Sequence, residues 1–135
     1  LPALGGMLPF VLGSGSQFRP APPPAFDSPA FEAALAEVRQ VARTRTAEQA
    51  RIAQDWALPG GTILPSGYWN REALSLAARA GLGERATAHV LALLHAAMMD
   101  ATIAVHDAKY TYWYVRPSQA DTTIGLAIGL PAHPA

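Results

Sequence analysis

The segment from Lys109 to Pro117 contains the residue types whose spacing best suits chemistry. Six mostly aromatic residues separate Lys109 from Arg116, and Pro117 follows the arginine. On a continuous helix this spacing places both cations on nearly the same side, with their Cα atoms roughly 10 Å apart along the axis. A lysine point charge and a planar arginine fork together suit the several oxygens of a phosphate-like anion. Pro117 disfavours helical geometry at Arg116, so we expect the guanidinium at the helix end.

This pair belongs to a longer stripe on one predicted helix. Seven residues follow one another at steps of three and four and therefore share that face: His95, Met99, Thr102, His106, Lys109, Trp113 and Arg116. Unpaired buried charge is costly and the stripe contains no acid, although Asp100 and Asp107 lie on neighbouring faces and could pair locally. We therefore expect an anion supplied from outside. Alternatively, cations in the last turns of a helix merely oppose the negative end of its macrodipole.

The first two helices that position these residues are marked by local capping signals. Ser28 has the character of an N-cap, with Pro29 at the first helical position. Thr46 and Gln49 form a capping-box pair at the start of the second helix. The Pro-Gly-Gly segment 59–61 should end that helix.

Two further helices complete the predicted architecture. The third should run from about Trp69 to Ala80, with Gly81 as its C-terminal cap. The fourth begins near Glu84 and continues to about Tyr114, long enough to be the central helix of a bundle. No alternating strand pattern competes with these assignments, so the fold class is all-α, a helical bundle. We divide the chain into an irregular Pro-rich arm, 1–27, and a helical bundle segment, 28–135.

Composition limits the classes of partner. Half of the 135 residues are hydrophobic and only 15% are charged, below the roughly 25% of an average soluble domain, which favours a surface partly covered by more protein. Ten basic and ten acidic side chains cancel, so the chain lacks the broad basic face that draws nucleic acid or acidic membranes. Cysteine is absent, which excludes disulfides and thiolate metal sites but leaves localisation open, including a soluble secreted or periplasmic protein.

Other candidate chemistry is weaker. The apolar segment 86–105 is interrupted by His89, His95 and Asp100, which favours a buried helix over a membrane span. The histidines lack the spacing of a direct metal site. The Gly-Ser run 13–16 resembles a phosphate loop only superficially, and we interpret it as flexible coil.

The Lys-x6-Arg-Pro pattern from Lys109 to Pro117 resembles the first signature of the superfamily of vanadium-dependent haloperoxidases and type 2 phosphatidic-acid phosphatases. The resemblance covers nearly the whole chain and is closest to the soluble bacterial haloperoxidase-like branch. Its further elements are Phe18-Arg19-Pro20, the run Arg45-Thr46-Ala47-Glu48-Gln49 leading to Ile52-Ala53 and Trp56, and Asp100-Ala101.

The resemblance implies an incomplete part of the haloperoxidase and acid phosphatase fold. Lys109 and Arg116 would bind vanadate, the cofactor of a haloperoxidase, or the phosphate of a phosphatase substrate. The family's later signatures, which carry the catalytic histidines, are missing from this sequence, so we expect the chain to be an N-terminal part. The partner would be the remainder of the same protein or another copy. Pro65-Ser66-Gly67 imitates one later signature, but Tyr68 stands in place of its histidine.

Two departures leave the reaction open between halide oxidation and phosphate-ester hydrolysis. Haloperoxidase-like members often carry tryptophan where this chain has His106, and some carry an acid where Leu58 and Pro59 stand. His106 could line the pocket or be a satisfied core histidine. Trp113 is a second candidate pocket residue, although large aromatics at helical spacing usually build the core. The alternative function is a non-catalytic helical scaffold or oligomerisation piece.

Overall fold

The part of the chain that the structure describes is all-α, as the sequence predicts. The computed structural model describes residues 2–57 and 63–127, and every regular element within those ranges is helical. A short 3-10 helix, Pro2–Gly6, precedes the α-helices. These are α1 (Pro29–Thr44), α2 (Ala47–Ala57), α3 (Leu64–Arg79), α4 (Glu84–Tyr112) and the single turn α5 (Pro117–Ala120).

Local capping signals account for the starts of α1 and α2. The Ser28 hydroxyl accepts a hydrogen bond from the Phe31 backbone N–H at 3.2 Å, and Pro29 occupies the first helical position, where a missing N–H costs nothing. At α2 the Thr46 N–H donates to the Gln49 side-chain oxygen at 2.8 Å, and the Gln49 N–H donates to the Thr46 hydroxyl at 3.2 Å. Both predicted helix starts are confirmed.

The predicted bounds of α3 are only partly right. The helix begins at Leu64, more than one turn before the predicted start at Trp69, because Pro65 falls in the first turn, where proline is tolerated. Its end agrees with the prediction, since Gly81 adopts a left-handed φ of 66° just after the helix. The predicted stop of α2 at 59–61 lies outside the described residues.

The chain forms two compact units, each built from segments that are distant in sequence. One contains Leu1–Pro20 and Pro59–Thr111, and the other contains Ala21–Leu58 and Tyr112–Ala135. The arm 1–27 therefore contributes to both units.

In the first unit, the start of the chain is fixed on α4 by a buried carboxylate. Asp100 is 5% exposed, and its two oxygens accept the backbone N–H groups of Phe10, Val11 and Leu12 at 2.6, 2.8 and 2.9 Å. Because three donors converge on one charge, the arm gains a defined backbone path without regular secondary structure.

The Gly-Ser run 13–16 forms no helix or strand, and one of its residues, Gly15, packs against α4. Gly15 is buried, and a Cβ built there would lie 3.2 Å from Ile103 Cγ2. Among the described residues, Ile103 is the fully buried side chain of the core. The same face of α4 receives Gly5, where a Cβ would lie 2.7 Å from the Asp107 backbone nitrogen. Close backbone approach, rather than loop flexibility, explains these glycines.

In the second unit, α1 supplies the main buried side chains, Phe31 and Leu35. The Phe31 ring lies between Phe26, with ring centroids 4.9 Å apart, and Tyr114, which meets it edge-on at 6.2 Å. The C-terminal segment that contains Tyr114 therefore packs along α1.

Large apolar side chains remain exposed in both units. Leu8 is 90% exposed, Val11 78% and Phe10 74%, whereas the buried hydrophobic side chains of the described residues are limited to Phe31, Leu35, Ala77 and Ile103. Apolar exposure on this scale is typical of surfaces that contact other protein.

The stretch Glu84–Ala120, most of which is α4, is long and apolar enough to cross a membrane by length and composition. A core helix of a soluble protein satisfies the same criteria, although only 11% of the apolar window is buried here. The absence of a membrane span stays a prediction.

Candidate oxyanion-binding site

Lys109 lies in the last turn of α4, as its periodicity predicts. Its side chain is half-buried, and Nζ lies 5.5 Å from the centroid of the Tyr110 ring. Within the described residues, its ammonium forms no ion pair with a carboxylate. A cation held over an aromatic face keeps its donors available for an anion.

Arg116 lies in extended backbone between α4 and α5. Its φ and ψ are −79° and 150°, and its backbone N–H donates to the Gln119 side-chain oxygen at 2.9 Å. The carbonyl of Arg116 accepts the N–H groups of Gln119 and Ala120 at 2.9 and 3.0 Å, so the residue is the N-cap of α5. Its side chain is exposed and, among residues 2–57 and 63–127, has no carboxylate partner.

The prediction that Lys109 and Arg116 share one helical face is wrong. The helix ends at Tyr112, before the predicted end near Tyr114, and Trp113 adopts a left-handed φ of 45°. Pro117 also excludes the helical conformation at Arg116, whose extended backbone starts a new turn. Lys109 belongs to the first compact unit and Arg116 to the second.

The acidic residues nearest to Lys109 in sequence are already engaged within the first unit. Burial raises the pKa of Asp100, but the N–H groups of Leu12, Phe10 and Val11 outweigh it and hold that pKa below its usual value. Arg19 holds the pKa of Asp107 low through two hydrogen bonds of 2.7 and 2.8 Å. The local pairing expected between these acids and the cationic stripe is therefore replaced by contacts with the arm.

His106, a candidate pocket residue, is half-buried on α4. Its Nδ1 lies 2.8 Å from the Thr102 carbonyl oxygen, which must accept, so Nδ1 carries a proton. In the neutral ring Nε2 is then left as an acceptor. The imidazole centroid is 6.1 Å from that of Tyr110, the ring that also faces Lys109. This places His106 in the same aromatic surroundings as the lysine.

Trp113, the second candidate pocket residue, is 63% exposed. The expectation that it builds the core is wrong, because α4 ends before it and its side chain leaves the helical stripe. His95, further along that stripe, is exposed, with Nε2 3.3 Å from the Asn70 side-chain oxygen.

Sequence reasoning missed the residues that fix the segment carrying Arg116. Arg39 on α1 pairs with Asp121, and the Arg45 guanidinium donates to the carbonyls of Gly125 and Leu126 at 2.8 and 2.9 Å. These partners are separated by 80 to 82 positions, so no local spacing could reveal them.

No family model, curated protein or solved structure matches this chain. Among the residues that the structure describes, no group of three or more histidine and carboxylate side chains could hold a metal ion. The resemblance to the haloperoxidase and phosphatase superfamily therefore stays a prediction from the sequence.

Proposed function

We propose that this chain supplies Lys109 and Arg116 as ligands for a phosphate-like oxyanion in an enzyme of the vanadium haloperoxidase and type 2 phosphatidic-acid phosphatase superfamily. The Lys-x6-Arg-Pro spacing of Lys109, Arg116 and Pro117 carries the proposal. The ion pairs support it, because among the described residues no carboxylate already occupies Lys109 or Arg116. The donors of both cations are therefore open to an incoming oxyanion.

The donor chemistry fits vanadate or phosphate, but it is incomplete in this chain. By the resemblance, further donors and the acid-base histidines would come from residues outside this sequence. They would belong to the same protein or to another copy. Lys109 and Arg116 would stabilise negative charge on the bound oxygens as it develops. When bound, vanadate would supply peroxide-dependent halide oxidation, and without it the protein would hydrolyse phosphate esters.

A non-catalytic scaffold or oligomerisation piece is the second candidate function. The exposure of Leu8, Phe10 and Val11 favours it, because three large apolar side chains face solvent close together in sequence. Asp100 fixes the backbone of two of them, Phe10 and Val11. A scaffold would bind other protein through these side chains and would not need Lys109 or Arg116.

Anion titration of the complete protein tests the proposal. Lys109→Ala and Arg116→Ala should each weaken orthovanadate and phosphate binding in calorimetry. Arg85→Ala is the matched control, because it removes an exposed cation of α4 that has no carboxylate partner in the described residues. Equal losses in all three variants would indicate a general charge effect and would reject the proposed ligands. Peroxide-dependent bromination and phosphate-ester hydrolysis then separate the two enzyme classes.

A further inference from the structure

We propose that Arg39 on α1 and Arg45, the residue that follows α1, are positioning residues for Arg116. Arg39 acts through Asp121, and Arg45 acts through the backbone carbonyls of the segment that follows α5. This inference rests on the proposed role of Arg116 as an oxyanion ligand. It assigns a function to two arginines that would otherwise be surface cations.

Apolar packing fixes the chain on both sides of Arg116. Tyr114, Val115 and Pro117 line a cleft of about 180 Å³ together with Phe31 and other side chains of α1. The Tyr114 hydroxyl also donates to the Pro24 carbonyl at 2.6 Å. Val115 and Pro117 line this cleft, whereas the intervening Arg116 does not. Its exposure agrees with this arrangement.

The single turn of α5 connects Arg116 rigidly to the first arginine contact. The Arg116 carbonyl accepts two N–H groups of the turn, and the Asp121 N–H donates to the Pro117 carbonyl at 2.8 Å. The Asp121 carboxylate then accepts from Arg39 and from the N–H and hydroxyl of Thr123, at 2.8 and 2.7 Å. Movement of Asp121 would therefore move the backbone of Arg116.

Arg45 fixes the far end of the same segment through two successive carbonyls. Nη1 donates to Gly125 and Nη2 to Leu126, a two-point contact that uses the planar fork of the guanidinium. A lysine has one mobile ammonium and cannot reproduce this geometry. Arg45→Lys therefore removes the positioning contact while it keeps the charge.

Substitution of Arg39 or Arg45 should therefore lower the affinity for the anion, although the proposed ligands Lys109 and Arg116 are both still present. A displacement of about 1 Å in a binding group can cost about 10²-fold in function, so a partial loosening of Arg116 should cost about tenfold. Arg51 provides a control, since it makes a similar set of ion pairs with Glu48 and Asp55 on exposed α2.

The test uses NMR relaxation of the Arg116 backbone amide, which donates to the Gln119 side chain, and orthovanadate titration of the same variants in the complete protein. Arg45→Lys and Arg39→Gln should increase the mobility of the Arg116 backbone and weaken vanadate binding about tenfold, whereas Arg51→Gln should change neither. If Arg39→Gln fails to fold, Arg45→Lys provides the same test with its charge intact.

The two readouts separate this inference from the proposed function. Unchanged Arg116 mobility in folded Arg45→Lys and Arg39→Gln would overturn the positioning role, whatever their affinity. If Arg116 becomes mobile in those variants but the unaltered protein binds no vanadate, the positioning contacts stand and the oxyanion function fails.

Discussion

The Arg19 guanidinium donates two hydrogen bonds to the Asp107 carboxylate, from Nε and Nη2, at 2.7 and 2.8 Å. Asp107 lies two residues before Lys109 on α4, and its side chain is 15% exposed. The nearest carboxylate in sequence to the proposed lysine ligand is therefore already paired with a residue of the arm. Arg19 therefore offsets the charge of a carboxylate two positions from Lys109.

We predict that Arg19→Gln weakens oxyanion binding although Arg19 is not a proposed ligand. The released Asp107 carboxylate would repel an incoming anion and lower its affinity severalfold, because like charges repel each other. Orthovanadate titration measures the effect. The double variant Arg19→Gln with Asp107→Asn should recover affinity, because the carboxylate is gone. Failure of the double variant to recover would indicate loss of structure instead.

A second prediction concerns the contact between the arm and α4. Gly5→Ala should lower the free energy of unfolding by about 1–3 kcal/mol, since its Cβ would overlap backbone atoms of Asp107. Gly6→Ala is the matched control in the same 3-10 helix, because its Cβ meets nothing within 4 Å. Urea denaturation of both variants provides the measurement. Equal stabilities would show that the arm does not pack on α4 as described.

A third prediction follows from the depressed pKa of Asp121, which Arg39 and Thr123 lower to about 2. The unfolded chain binds this proton near 3.8, so the carboxylate stabilises the fold above that pH. The contribution is lost as the pH falls from 3.8 towards 2. Asp121→Asn should therefore be less stable than the unaltered protein at pH 6, with the difference shrinking below pH 3.8. A difference that is constant with pH would contradict the ion pair.

The sequence predicted those features of the fold that depend on neighbouring residues. Ser28 and the Thr46–Gln49 pair specify the starts of α1 and α2 through contacts within four residues. Gly81 marks the end of α3 for the same reason, because a left-handed residue is a local requirement. The predicted position of Lys109 followed from helical periodicity alone.

The rest of the candidate site depends on contacts that sequence spacing cannot show. The predicted stripe treated Trp113 and Arg116 as residues of one helical face. In the structure the backbone of Trp113 has a left-handed φ, and Arg116 is the N-cap of α5. The sequence gives no sign of the contacts of Arg39 and Arg45, because their partners lie 80 or more positions away. Only tertiary packing distinguishes such arginines from ordinary surface cations.

The central claim is that Lys109 and Arg116 bind the same class of anion, and one titration tests it most directly. Calorimetry should compare orthovanadate binding by the complete protein with binding by the folded double variant Lys109→Ala and Arg116→Ala. We expect the double variant to bind more than about tenfold more weakly, because two charge-assisted contacts are removed. Unchanged affinity in a double variant that retains its helical circular dichroism would contradict the proposed function.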